Sequence, residues 1–438
     1  MYGRLRSNAF FWDWDNENTA VQDNEMWGLG GSLVLKSGFY HGFGATVGFY
    51  GVTQVLDDNT IPGSTTNFGK AGKDMYHTRA DGSEGNIGVF AEAYGEYKAG
   101  KTDVKVGRQM IDSIMLASND TKMVPNTFEA AVIENKDIKD TSLRAGYIMS
   151  QKLRDHQTFH SIIAFEKYTE NDDSGTHKGL TPALISAAGA DVNPEMILLT
   201  ASNKSIPNLK LDAEYVGVDG FVNTMIAEAN YKIKLNDSWT LTPGVRYLCQ
   251  MDDGAGAIGG ASLSGAFKGT STYTGAPQGY TNPNSADGSI IMARLVAASG
   301  PLELTAGYSK VSDDADIIAP WRGFPTGGYT RSMAQVDWIA NTQNWAVKAV
   351  YDFGKAGVVP GLKVAADYEN MNFDDAKAAV SGFTDRDTFH VDAWQTFKAL
   401  PNTEFKLRFA TIDADPAVGA TVDYNSYNEY RFEINYLF

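Results

Sequence analysis

The chain has 438 residues, long enough for two or three soluble domains, yet its make-up argues against ordinary ones. Hydrophobic residues are 43%, mean hydropathy is -0.27, and no apolar run approaches the ~20 residues of a membrane helix. A net charge of -16 excludes general affinity for nucleic acid, and the single Cys249 excludes an internal disulfide and a cysteine-based metal cage. Aromatics at 12% with 44 glycines fit many strands, frequent turns and interfacial rings of aromatic side chains.

The chain opens on Met1-Tyr2-Gly3 and runs straight into alternation, with no signal peptide in front. A secreted barrel needs one, so the numbering is expected to start at a mature or recloned chain. Along Gly3–Trp12, Leu5, Ala9 and Phe11 share one face, and Arg4, Arg6 and Asn8 the other. Met26–Lys36 lines up Trp27, Leu29, Leu33 and Leu35, and the next segment Phe43, Ala45, Val47 and Phe49. A polar stretch, roughly 53–85, precedes Val89, Ala91, Ala93 and Tyr97. Strands follow at Thr102–Gln109, about Thr127–Asn135, and around Leu143, Ala145, Tyr147 and Met149. After a long loop at about 151–193 come strands at Glu195–Asn203, Leu209–Tyr215, Met225–Ile233 and Trp239–Tyr247. A loop rich in Gly, Ser, Thr and Asn spans about 252–288, then strands follow at Ile290–Ala298 and Leu302–Tyr308. The rest are expected at Trp345–Phe353, Leu362–Tyr368, Thr388–Phe397 and Phe405–Phe409, ending in Tyr427–Phe438. In that last segment Tyr430, Phe432, Ile434, Tyr436 and Phe438 oppose Glu429, Arg431, Glu433 and Asn435.

The tally is about eighteen, an even number, and tight turns alternate almost without exception with long polar loops. This asymmetry fits an outer-membrane barrel, with one strand face toward lipid, the other toward a wet lumen, and the last strand closing on the first. No repeat near 40–50 residues suggests a propeller. The expectation is all-β: a transmembrane antiparallel β-barrel, one domain over 1–438, with a water-filled interior.

Two loops are poor solvent filler. Met110–Asn126 carries Ile111, Ile114, Met115, Leu116, Met123 and Val124, which need shelter, and the barrel interior offers it. A loop folded inward would narrow the channel. The strand end Gly107-Arg108-Gln109, the stretch Leu116-Ala117-Ser118-Asn119-Asp120-Thr121-Lys122-Met123-Val124-Pro125 and the return Asn126-Thr127-Phe128-Glu129 resemble the OprD-type outer-membrane porins of Gram-negative bacteria. The strong match covers about 25 residues; elsewhere the likeness is one of architecture, and the allied major outer-membrane porins fit equally. The resemblance implies eighteen strands and inward-folded third and seventh loops. It also implies uptake of small water-soluble molecules, often carboxylates, along a ladder of basic residues. In the third loop Arg108, Asp112, Ser118, Asn119, Asp120 and Lys122 are the candidate constriction residues. The seventh, Ala319–Arg331, holds two prolines, three aromatics and two arginines; Arg322 and Arg331 are expected near the eyelet. An ordinary surface loop with arginines on lipopolysaccharide phosphates is the plainer expectation.

In such a passage the work is electrostatic. Arg4, Arg6, Lys348, Lys363, Lys406, Arg408 and Arg431 fall on the inward face of strands that closure makes near neighbours, giving a basic wall. Glu92, Glu96, Asp212, Glu214 and Glu228 give a more acidic wall, diluted by Lys98, Lys210 and Lys232. A transverse field would favour small anions along the arginines; the bland alternative is that these charges pair and keep the lumen wet. No cofactor is expected. Asp313, Asp314 and Asp316, Asp252-Asp253 and Asp172-Asp173 could hold Ca²⁺, but none has EF-hand spacing, and solvated loops are the expectation. His156 and His160, four apart in a loop, lack the glutamate a zincin needs, and no glycine cluster precedes a helix as nucleotide binding requires. The function expected is passive diffusion of small hydrophilic solutes across the outer membrane, with lipid and lipopolysaccharide as surroundings and a homotrimer left open. The rivals are a plugged structural barrel or surface antigen, and an outer-membrane enzyme, for which His390 has no evident nucleophile beside it.

Overall fold

The structure, a computed structural model, describes residues 1–18, 21–58, 77–78, 84–120, 123–154, 156–164, 180–262, 279–333, 338–377 and 382–438; at 56–58, 77–78 and 84–85 it describes backbone alone. Eighteen antiparallel strands close into one barrel. They are β1 (Tyr2–Trp14), β2 (Asn24–Lys36), β3 (Phe43–Asp58), β4 (Ile87–Ala99), β5 (Thr102–Gln109), β6 (Thr127–Asn135), β7 (Thr141–Lys152), β8 (Met196–Asn203) and β9 (Leu209–Val218). Then come β10 (Val222–Tyr231, continued by Ile233–Lys234), β11 (Trp239–Asp252), β12 (Gly288–Ser299), β13 (Leu302–Val311), β14 (Gln343–Asp352), β15 (Leu362–Asn372), β16 (Arg386–Phe397), β17 (Leu400–Ala414) and β18 (Tyr427–Leu437). Each pairs with the next. β18 returns to β1 from Arg4↔Leu437 to Trp14↔Tyr427, and Gly3 and Phe438 exchange backbone hydrogen bonds of 2.8 and 3.1 Å. Closure is forced, because an unpaired N–H or C=O in hydrocarbon costs several kcal/mol.

The alternation read from the sequence is the alternation of the wall. On β1, Leu5 and Phe11 are exposed on the outside, while Arg6, Asn8, Phe10 and Trp12 are buried inside. Strands run longer than the apolar pattern suggests. β3 continues through 58, because the polar 53–58 stretch still finds ladder partners on β2. One long-side connection is short: Asp219-Gly220-Phe221 joins β9 to β10, with Gly220 at φ 67° and Phe221 N–H bonded to the Val218 carbonyl. Two short helices, α1 (Pro182–Ala187) and α2 (Ala255–Ile258), sit in long loops.

The core is inside the barrel. Ile111, Met115 and Leu116 of the third loop and Trp321, Phe324 and Tyr329 of the seventh pack on inward residues such as Phe128, Leu198, Val216, Ile226 and Met292. Met123 and Val124 pack with Phe10, Trp12, Tyr50 and Val89 in a second cluster. Fully burying side chains of this size is worth about 1.5–3 kcal/mol each, which is why a loop this apolar folds inward.

The constriction as candidate functional site

The third loop leaves β5 and is held at two distant points of the wall. On β9, Glu214 accepts from Ser113 Oγ at 2.8 Å and from the backbone N–H groups of Ile114 and Met115 at 2.9 Å each. On β1, Asp120 meets Arg4 Nη2 at 2.5 Å and Arg6 Nη1 at 3.0 Å. β1 and β9 lie nearly opposite in an eighteen-strand ring, so the loop crosses the lumen. Between the anchors Asp112 ties the loop to itself, accepting from Ser118 N and Oγ at 2.7 and 2.9 Å, and Arg144 of β7 donates to the Asp112 carbonyl. Asn119 takes a left-handed φ of 47°, which turns the chain toward Asp120. Lys122 lies outside the described residues.

The seventh loop is pinned by two arginines. Arg246 of β11 donates to the Pro325 and Gly327 carbonyls, and Arg294 of β12 to the Gly328 carbonyl. Both guanidiniums lie 4.6 Å from the Tyr329 ring, and both are held by Glu228 of β10. The two loops meet at Gly323, where a Cβ would come within 2.0 Å of the Met115 carbonyl oxygen; only glycine permits this approach. Ser332 donates to Asp367 of β15. Further out, Lys377 enters between Asp313, Asp374 and the Gly279 carbonyl, and Tyr280 donates to Asp316 at 2.7 Å. Burial alone would raise the Asp374 pKa, but the hydrogen bond from Asn341 and the Lys377 charge hold it below the ordinary carboxylate range.

All seven residues of the basic wall stand on the inward side. Most are already paired: Arg6 also with Glu433 at 3.7 Å, Arg408 with Asp392 at 2.6 Å, Lys406 with the same carboxylate at 3.6 Å, and Arg431 with Glu429. Lys348 and Lys363 make no ion pair among the described residues. Lys363 and Lys406 lie over the Trp394 ring, at 5.6 and 5.0 Å. On the short-turn side of Asp120, a cavity of about 440 Å³ is lined by Arg4, Arg6, Trp394, Glu404, Lys406 and Glu433.

Two constriction expectations need correction. Arg108 does not face the lumen. It shares the outward side with Val106, is bonded to Glu129 at 2.9 Å and lies 4.4 Å from the Phe159 ring; the next residue, Gln109, is the inward one. A two-residue period leaves no choice once Gln109 is buried. Arg322 is only 1% exposed, with a left-handed φ of 59°, so it packs within the loop layer and cannot meet a solute. Arg331 is half-buried, its guanidinium 3.4 Å from the Phe324 ring.

The acidic wall serves mainly as anchorage: Glu214 for the third loop, Glu228 for the arginines under the seventh. Glu92 accepts from Tyr50 at 2.6 Å, and Glu96 pairs with Lys98 and Lys36. Sequence reasoning passed over Arg246, Arg294, Asp367 and Asp392; each sits on the inward parity opposite an apolar run, and an inward charge opposite a glycine- and proline-rich loop was the available signal. Of the acidic groups considered for Ca²⁺, Asp313, Asp316 and Asp252 are engaged within the protein. Asp313 pairs with Lys377, Asp316 accepts from Tyr280 and Ala340 N–H, and Asp252 accepts from Gly254 and Gly256 N–H. Asp172-Asp173 lies outside the described residues. No group of three metal-ligating side chains occurs among the described residues. His156 Nδ1 and His160 Nε2 bond to each other at 2.8 Å.

No curated protein matches the chain by sequence. Among solved structures it is similar to OccAB3 of Acinetobacter baumannii (TM-score 0.76, 17% identity, covering 100% of this chain and 98% of that one). It is also similar to OccK8 (OprE) of Pseudomonas aeruginosa (0.73, 17%, 100% and 97%) and to OpdK of Pseudomonas aeruginosa solved with vanillate (0.72, 16%, 100% and 98%). At these identities the likeness concerns the fold. The sequence itself matches the outer membrane porin, OprD family, over residues 3–436. The chain belongs to the OprD family of outer-membrane porins.

Proposed function

We propose that this protein is a passive channel in the outer membrane of a Gram-negative bacterium and favours small anions and carboxylates among the hydrophilic solutes it passes. The observation that carries this is the placement of the loops. The third crosses from β9 to β1, the seventh lies on β11 and β12 and reaches β15 through Ser332, and toward the short-turn side of these anchors the strands β14 to β18 present their basic side chains inward. A solute there passes Lys348 and Lys363, cations without carboxylate partners among the described residues, and then the Trp394 face. A low-dielectric wall strengthens such fields. An aromatic acid fits this stretch well, its ring on Trp394 and its carboxylate between Lys363 and Lys406; the OpdK structure with vanillate, itself an aromatic carboxylate, supports that choice.

A cation-preferring channel is the second reading. It is favoured by the pairing of Arg4, Arg6, Lys406, Arg408 and Arg431 with acids, which cancels most of the wall. Planar-bilayer recordings across a salt gradient decide. Anion preference that falls in the Lys348→Gln/Lys363→Gln variant supports the first; cation preference in the wild type selects the second. A correctly folded barrel that never conducts refutes both and leaves a plugged structural protein.

A further inference from the structure

His390 stands on the inward side of β16, 5% exposed. Its Nδ1 is 2.9 Å from Asp367 Oδ2 on β15, and its Nε2 is 3.0 Å from Asp392 Oδ1. Ionised carboxylates only accept. A neutral imidazole has one N–H, so it can satisfy one of the two acids and turns a lone pair on the other; the imidazolium donates to both. Each acid has a second duty. Asp367 accepts from Ser332 of the seventh loop. Asp392 accepts from Arg408 Nε at 2.6 Å and Nη2 at 3.2 Å, with Lys406 Nζ 3.6 Å away. His390 is thus the link between a constriction loop and the basic wall.

The charged and titratable groups around it come from every neighbouring strand. β14 brings Lys348, directly across from Asp367; β15 brings Asp367 and Glu369. β17 brings Lys406 and Arg408, and β18 brings Glu429, across from Ala410 and paired with Arg431, and Glu433. The residue across from His390 on β17 is Ala410, and the cation nearest on that strand, Arg408, is already bonded to Asp392.

We propose that His390 is a positioning and selectivity-setting residue of this channel: as imidazolium it holds Asp367 and Asp392 turned into the wall. As neutral imidazole it turns a lone pair on one of the two carboxylates and leaves the wall one positive charge poorer. This rests on the channel reading and adds a direction to it, since anion preference falls as pH rises. One unit charge about 8 Å from the ion path, in water-like dielectric and low salt, changes the cation-to-anion permeability ratio by roughly two- to fivefold.

The test is the reversal potential in a dilute KCl gradient from pH 5 to pH 9. That window lies above ordinary carboxylate titration and below that of lysine. Three proteins are compared after a heat-modifiability check of folding. The wild-type ratio is expected to shift two- to fivefold toward cations along a one-proton curve. His390→Gln, neutral throughout, is expected flat at the alkaline value. His390→Lys, charged throughout, is expected flat at the acid value, which a merely structural role does not produce. A flat wild-type profile in a conducting channel overturns the inference alone, whether or not the variants fold, and so does a variant that keeps the wild-type curve. A folded barrel without conductance overturns this inference and the channel reading together.

Discussion

Glu214 offers the cleanest test of the crossing loop. Its carboxylate is 6% exposed and takes three donors from the third loop at 2.8–2.9 Å. In Glu214→Ala, Ser113 Oγ can rotate to another partner, but the Ile114 and Met115 N–H groups cannot leave the backbone. A buried donor left unpaired costs about 1–3 kcal/mol, so the docked loop should lose about 3–4 kcal/mol. The barrel ladder is untouched, so unfolding of the barrel should change little. At about 1.4 kcal/mol per factor of ten, amide exchange at Ile114 and Met115 should accelerate roughly two to three powers of ten. The assay is hydrogen exchange with mass spectrometry on peptides spanning 111–118, alongside single-channel noise, which should rise as the loop undocks. Glu214→Gln keeps one accepting oxygen and should fall between. Exchange within threefold of wild type, with a quiet channel, would refute the reasoning and mean that apolar packing alone seats the loop.

The other expectations concern the remaining contacts. Asp120→Asn removes the charge shared by Arg4 and Arg6 and should move selectivity toward anions in reversal-potential measurements; an unmoved potential would show that these arginines lie off the ion path. Gly323→Ala places a Cβ 2.0 Å from the Met115 carbonyl oxygen, so the third and seventh loops must separate; a changed conductance is expected with the barrel still folded, and an unchanged one would mean the loops yield without cost. The His156–His160 pair makes the fourth loop acid-sensitive. Burial, then the charge on His156, pushes the His160 pKa down to about 3. With an unfolded value near 6.5, the unfolded loop binds more protons between those limits, so docking is fully stable above about pH 6.5 and weakens as pH falls toward 3, by about 2 kcal/mol at pH 5. Limited proteolysis of the fourth loop should quicken over that range; a flat profile would contradict a buried, unprotonated His160.

What the sequence exposed and what it hid follow one physical line. Strand count, strand parity and the inward turn of the third loop were legible because each rests on a repeated pattern: period-two alternation, or six apolar residues in a segment that water would not tolerate. Parity even placed all seven wall residues on the inward side. It could have corrected Arg108 as well, since Gln109 and Arg108 cannot both face in; the error came from treating the strand end as loop. Pairing was not legible. Arg6 finds Asp120 over a separation of 114 residues, Arg246 finds the Pro325 carbonyl over 79, and Asp367 sits beside His390 only because β15 and β16 take one register among several the pattern allows. The consequence is functional. Counted from the sequence, the wall is strongly basic; with its partners in place, its arginines are ion-paired, and of the seven wall residues Lys348 and Lys363 are the two without an ion pair among the described residues. The charge of the wall therefore depends on which acids pair with it, a property of register and loop docking and not of composition.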